Sequence, residues 1–197
     1  MRAQTQQAGA VARIGPNVIT QAYAAMRALG RDRLADAVLD RAGLGRYIHA
    51  PPTGMVPQTE VVALFDAVSA CCSPGEVRLL TREAGLRTGD YILAHRIPVT
   101  AQRLLKHLPR AFAAPVLLSA IKRHAWTFAG DGVVTCSYRA PLSLSIGRNP
   151  IAMPGCPWHV AVLGRLLGSL VDPGVCIVHS RCCAMGAPVC HFDIVRS

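Results

Sequence analysis

The chain has 197 residues, 51% of them hydrophobic and 16% charged, with a formal net charge of +10 and a pI near 9.7. That length and apolar share suit one domain built around Leu, Val, Ile and Ala. The positive balance calls for an anionic membrane surface or a carboxylate-bearing ligand; nucleic acid is argued against, because no stretch interleaves basic and aromatic residues as a base-stacking platform would.

Residues 1–12 are small and polar and read as frayed. A helix runs from an Asn17 cap to Ala28 and is stopped by Gly30. Asp32 opens a second, with Leu34, Ala37, Val38 and Ala42 at helical spacing, closed by Gly43 and Gly45. Residues 49–57, with three prolines, form an irregular connector. Thr59 begins a helix striped by Val61, Leu64, Phe65, Val68 and Cys72. After Ser73-Pro74-Gly75 a longer helix reaches about His95, weakened in its middle by Gly85 and Gly89. Thr100 caps a helix through Leu108, and another covers 110–124 around Phe112, Val116, Leu117 and Ile121, with Pro115 in its first turns or kinking it.

The apolar period then falls from about 3.6 residues to about 2. Trp126–Ala129, a Gly130-Asp131-Gly132 turn and Val133–Arg139 predict a hairpin, with Leu142, Leu144 and Ile146 on a third strand. A helix from Cys156-Pro157 through Val171 and a closing hairpin, Val175–Arg181 with Cys190–Val195, complete the chain. Helices, three strands, a helix and two strands predict an α+β fold, a helical layer on a small, mainly antiparallel sheet. The longest apolar stretches, around Ala113–Ile121 and Val160–Val171, are too short to span a bilayer or are interrupted by Arg165. Met1–Gly9 lacks the apolar run of a signal peptide, so a cytoplasmic location is expected.

Cys156, Cys176, His179, Cys182, Cys183 and Cys190 crowd the last quarter of the chain. A tetrahedral ion needs four donors from separate backbone pieces at about 2.0–2.3 Å. A hairpin can supply three and a neighbouring element the fourth, which gives Cys156, His179, Cys182 and Cys190. Successive strand residues face opposite sides, so a straight strand would put Cys183, not Cys182, on the face of His179. An early turn, favoured by Ala184, Gly186 and Pro188, would select Cys182. Buried, unligated thiols are the alternative; disulfides suit a chain without a secretory signal less well.

The run of His179, two residues, Cys182, three residues, Gly186, three residues, Cys190, one residue and Phe192 resembles the hairpin of the 4-vinyl reductase domain family. The likeness covers roughly residues 75–197, with 1–74 as an N-terminal helical part of a single domain spanning 1–197. It implies a zinc ion, structural in role, on Cys156, His179, Cys182 and Cys190. His179 stands where phenol-sensing relatives of the family have an acidic residue, and imidazole is an equally good zinc donor. The fold implied is one shared with subunits of vesicle-tethering complexes, with an apolar cavity between helices and sheet. The resemblance further implies a part in bacteriochlorophyll synthesis, acting on or holding a magnesium tetrapyrrole that bears vinyl groups, alongside other enzymes of that synthesis.

Reducing a vinyl group needs a hydride source, and no GxGxxG follows a strand, nor do the cysteines have iron–sulfur spacing. Zinc has no redox chemistry, and four protein ligands leave it no open position. The residues therefore read as a binding module rather than an unaided reductase. Basic side chains, Arg96 among them, would meet the carboxylates of a flat ligand, and His95, His107 or His124 would supply an axial ligand to magnesium. His107 lies in the region where the phenol sensors carry a pocket histidine; Trp126 is either core or a stacking surface. Three readings result: a tetrapyrrole-binding protein that presents an intermediate to pathway enzymes, a 4-vinyl reductase with a borrowed reductant, and a scaffold of the vesicle-tethering kind. A homodimer through the N-terminal helices and peripheral contact with the photosynthetic membrane complete the expectations.

Overall fold

The computed structural model describes residues 12–196; the expected frayed tail lies outside them, apart from Ala12. Two short strands, β1 (Arg13–Ile14) and β2 (Val56–Pro57), pair antiparallel and give the connector over 49–57 an anchor that the sequence reading lacks. Between them lie α1 (Asn17–Ala28), α2 (Asp32–Arg41) and the single turn α3 (Arg46–His49). Asn17 is the first residue of α1 rather than its cap, a position Pro16 takes. Gly30, at φ 71°, ends that helix in the left-handed region. The next helix, α4 (Gln58–Cys71), buries Val61, Leu64, Phe65, Ala67 and Val68 on the expected stripe.

Helix α5 (Pro74–His95) starts on a capping box: the Ser73 hydroxyl accepts from the Glu76 N–H, and the Glu76 carboxylate accepts from the Ser73 N–H. Then come α6 (Val99–His107), α7 (Arg110–Arg123) and the short α8 (Trp126–Ala129). Strands β3 (Val133–Ser137) and β4 (Ser143–Gly147) precede α9 (Pro157–Leu170), and β5 (Val175–Arg181) and β6 (Val189–Arg196) end the chain. The four strands form one antiparallel sheet in the order β3-β4-β6-β5. Leu144, Ile146, Ile177, Cys190, Phe192 and Ile194 are buried in it. Helix α9 packs on β5 and on α5, and α5 in turn packs on α1.

Three expectations need correction. Trp126–Ala129 is helical, not a strand: the Ala129 N–H reaches the Ala125 carbonyl at 2.8 Å, and β3 takes β4 as its partner instead. Gly85 and Gly89 do not mark a weak point in α5. A Cβ on Gly85 would stand 2.5 Å from the Trp158 carbonyl oxygen, and one on Gly89 2.7 Å from Arg165 Cβ, so these glycines are where α9 crosses closely. Finally, Phe112 and Val116 point outward from α7, at 65% and 53% exposure, while Ala113, Ala114, Leu117 and Leu118 form its buried face.

Candidate metal centre and ligand cavity

The last strand pair and the start of α9 bring Cys156, His179, Cys182 and Cys190 together, with one donor atom of each within 4.8 Å of the others. Cys156 Sγ lies 3.6 Å from Cys190 Sγ and 3.9 Å from Cys182 Sγ. Sulfurs on a tetrahedral ion with metal–sulfur bonds of about 2.3 Å stand about 3.8 Å apart, so the spacing suits a shared metal. Cys156 enters the cluster from a left-handed backbone, φ 40° and ψ 51°, just before Pro157 opens α9. That conformation costs about 1–2 kcal/mol for a residue with a Cβ, and it aims the thiol at the hairpin.

The choice between Cys182 and Cys183 is made by a bulge. In the β5–β6 ladder His179 opposes Phe192 and Arg181 opposes His191, leaving Ser180 as an extra residue. The extra residue reverses the alternation, so Cys182 regains the face of His179. Cys183 begins the turn Cys183–Met185, with its thiol 3.8 Å from the Ile146 carbonyl, and Gly186 closes that turn at φ 86°.

Around Cys190 Sγ the polar partners suit a thiolate. The Cys183 N–H donates to Cys190 Sγ at 3.3 Å, and the Asn149 amide donates to the same sulfur at 3.4 Å. Asn149 is itself fixed by accepting from the Ile151 N–H at 3.2 Å. The hydrogen bond from the Cys156 thiol, with those of Cys183 and Asn149, holds Cys190 well below the usual thiol range, while the same bond and burial push Cys156 up. His179 Nε2 is buried with no hydrogen-bond partner among the described residues, as expected of a nitrogen kept for a metal. Three buried sulfurs and an orphaned imidazole nitrogen fit an ion; cysteines 71, 72, 136, 176 and 183 lie outside the cluster, and all eight thiols are free.

A cavity of about 600 Å³ opens between α5, α7, α8, α9 and β4. Its buried wall includes Leu117, Leu144, Ile146, Leu166, Trp158 and His159, and its exposed rim Arg96, His124, Trp126 and the loop 53–54. Of the residues expected to meet a ligand, Arg96, His124 and Trp126 line this cavity, and Trp126 is 54% exposed at its edge rather than in the core. His95 and His107 do not line it. His95 is exposed and packs against Tyr91 at 4.8 Å, and His107, also exposed, turns Nδ1 to the Arg103 carbonyl at 2.7 Å.

The residue missed was His159, three residues after Cys156 on the first turn of α9. It is 3% exposed, and burial together with the nearby His179 pushes its pKa down to about 3, so its ring is neutral. Phe192 lies between the two sites, stacked on His179 at 4.8 Å and tilted against His159 at 5.7 Å. Helical spacing from Cys156 could have placed His159 near the metal centre, but nothing local in the sequence points to a cavity there.

No protein-family model matches the chain. It is 44% identical over 189 residues to the bacteriochlorophyll synthase 23 kDa chain of Cereibacter sphaeroides, covering 93% of this chain and 90% of that one. The protein of the same name from Rhodobacter capsulatus is 38% identical over 186 residues, covering 91% and 85%. Among solved structures, an H-NOX protein from S. oneidensis in the Fe(II)NO ligation state shares the fold, with a TM-score of 0.59 at 9% identity over 93% of this chain and 99% of that one.

Proposed function

This chain belongs to the family of the bacteriochlorophyll synthase 23 kDa chains, and on that premise we propose that it binds a magnesium tetrapyrrole intermediate, of the divinyl chlorophyllide or protochlorophyllide type, and presents it to enzymes of bacteriochlorophyll synthesis. The observation that carries the reading is the cavity of about 600 Å³, within the range of small-molecule sites, with apolar walls and a rim bearing Arg96. The walls would take the faces of a flat macrocycle out of water, at about 25 cal/mol per Å² of apolar surface. Arg96 would pair with a carboxylate at the ligand's edge through charge-assisted hydrogen bonds.

The metal assigned to Cys156, His179, Cys182 and Cys190 is zinc, whose preference for three thiolates and an imidazole in a closed tetrahedron matches the donor set. Bound there it would supply a redox-inert crosslink and no reaction step. Cys156 fixes the start of α9, and Phe192 separates His179 from His159, so the crosslink would hold the cavity wall in shape. The exposed helices α6 and α7, rich in Lys and Arg beside the rim, would rest on an anionic membrane where such pigments partition.

Titration of the purified protein with divinyl chlorophyllide tests the reading. A red-shifted absorption band without conversion is the expected result. Appearance of a monovinyl product would make the protein a 4-vinyl reductase with an external donor, and the absence of any binding would leave only a scaffold of the vesicle-tethering kind.

A further inference from the structure

Three buried side-chain nitrogens have no hydrogen-bond partner among the described residues, and two of them, Trp158 Nε1 and His159 Nε2, are adjacent on the first turn of α9. Both residues are 3% exposed and both line the cavity. A buried polar group left unpaired carries an uncompensated desolvation penalty, and native proteins rarely leave one without a partner. The rest of the buried lining does not share this state: it is apolar, except that the Thr88 hydroxyl already donates to the Ala84 carbonyl at 2.7 Å. Phe128, Trp158 and Phe192 surround the His159 ring edge-on or tilted, which limits how far it can turn.

The two orphans differ in kind. Indole N–H can only donate, whereas a neutral imidazole offers one nitrogen lone pair. Together they ask for a ligand with an electron-poor centre and an oxygen acceptor at its edge. A metal held in the plane of four ring nitrogens has an axial position to fill, and among the described residues no carboxylate lines the cavity to compete for it.

We infer that His159 supplies the axial ligand to the central magnesium of the bound tetrapyrrole and that Trp158 donates its indole N–H to a carbonyl or carboxyl oxygen of the same ligand. This rests on the tetrapyrrole reading above. His159 thereby selects the metallated macrocycle over its metal-free precursor, and His124, exposed on the rim, has no part in that selection.

Magnesium protoporphyrin IX and metal-free protoporphyrin IX serve as probes, with binding followed by absorption and fluorescence. The wild-type protein should prefer the magnesium probe by about tenfold or more. His159→Ala should abolish that preference, bringing the affinities for the two probes together; His159→Phe, which keeps the ring volume, should do the same and guards against a folding defect. In His159→Gly, added imidazole should restore the magnesium-probe spectrum, which a packing role could not produce. Trp158→Phe should weaken both probes alike. Retention of the magnesium preference by both His159→Ala and His159→Phe overturns the inference while leaving the tetrapyrrole reading intact; failure of the wild type to bind either probe overturns both.

Discussion

A buried neutral histidine ties folding to pH in a direction that can be worked out. His159 has a folded pKa of about 3 against an ordinary 6.5, lowered by burial first and then by His179 on β5. Phe128 of α8 and Phe192 of β6 add no charge to its surroundings. Below 6.5 the unfolded chain takes up a proton that the folded one refuses, so this contribution is complete above pH 6.5 and is lost as pH falls towards about 3. The loss is at most about 1.4 kcal/mol per pH unit. Chemical denaturation of wild type and His159→Phe between pH 7 and 4 should show a shallower slope for the variant; parallel slopes would mean that His159 is not sealed from water. At the metal centre, Cys190→Ser should remove the bound metal and lower the melting temperature, read by a metal assay and calorimetry on one preparation. Asn149→Ala, which removes the amide donated to Cys190 together with the acceptor of the Ile151 N–H, should weaken metal affinity about 10–100-fold without abolishing it. Cys156, His179 and Cys190 were legible as a cluster because ligand residue types are few and crowd the end of the chain, while Cys182 and Cys183 stood as alternatives. The bulge at Ser180 that selects Cys182 was not legible, since an extra residue in a ladder shows only against the partner strand.

At the level of whole elements, the crossing of α5 and α9 is the contact that shapes the cavity, and Gly85 governs it. Alanine is the better helix former by about 1 kcal/mol, so Gly85→Ala in an uncrowded helix would stabilise. Here the new methyl would meet the Trp158 carbonyl oxygen at 2.5 Å and Ala161 Cβ at 2.8 Å, backbone and near-backbone atoms that cannot swing aside. Gly85→Ala is therefore expected to destabilise by about 1–3 kcal/mol, the usual cost of overpacking, and to weaken ligand binding by shifting Trp158 and His159. Gly75→Ala is the control, because no described residue lies within 4 Å of a Cβ there. Equal midpoints in urea for the two variants would show that the helices can separate at no cost. Most helices were readable from apolar stripes, and the α5 start from its Ser73-to-Glu76 box. Two kinds of element escaped. Trp126–Ala129 is four residues long, too short for a period to distinguish helix from strand, and β1 and β2 are two-residue strands whose pairing joins segments about forty residues apart in the chain.

On the scale of the whole molecule, the charge and its run along the chain are visible in the sequence, but the cavity it borders is not, because the lining comes from segments spread between residues 15 and 166. Once the helices are placed, the distribution acquires an orientation. No Asp or Glu occurs from residue 91 to residue 130, whereas Arg96, Arg103, Lys106, Arg110, Lys122 and Arg123 all fall there. Val99, Leu104, Phe112, Val116 and Trp126 of the same stretch are exposed. Phe112, Val116 and Ala120 follow one another at one-turn intervals on α7, and Ala120 lines the cavity, so the apolar stripe leads to the mouth. Among the described residues no helix is long and apolar enough to cross a membrane, so a lipid contact through this face would be peripheral. Each basic side chain near an anionic surface contributes about 1 kcal/mol, and salt screens that attraction. The protein should therefore sediment with vesicles containing phosphatidylglycerol and not with phosphatidylcholine alone, and added salt should release it. Phe112→Asp and Val116→Asp should reduce the bound fraction even at low salt, with unchanged melting temperatures because both side chains already face water. Equal sedimentation with both kinds of vesicle would make the contact apolar and the basic side chains incidental to it, and sedimentation with neither would leave the stripe without a lipid role.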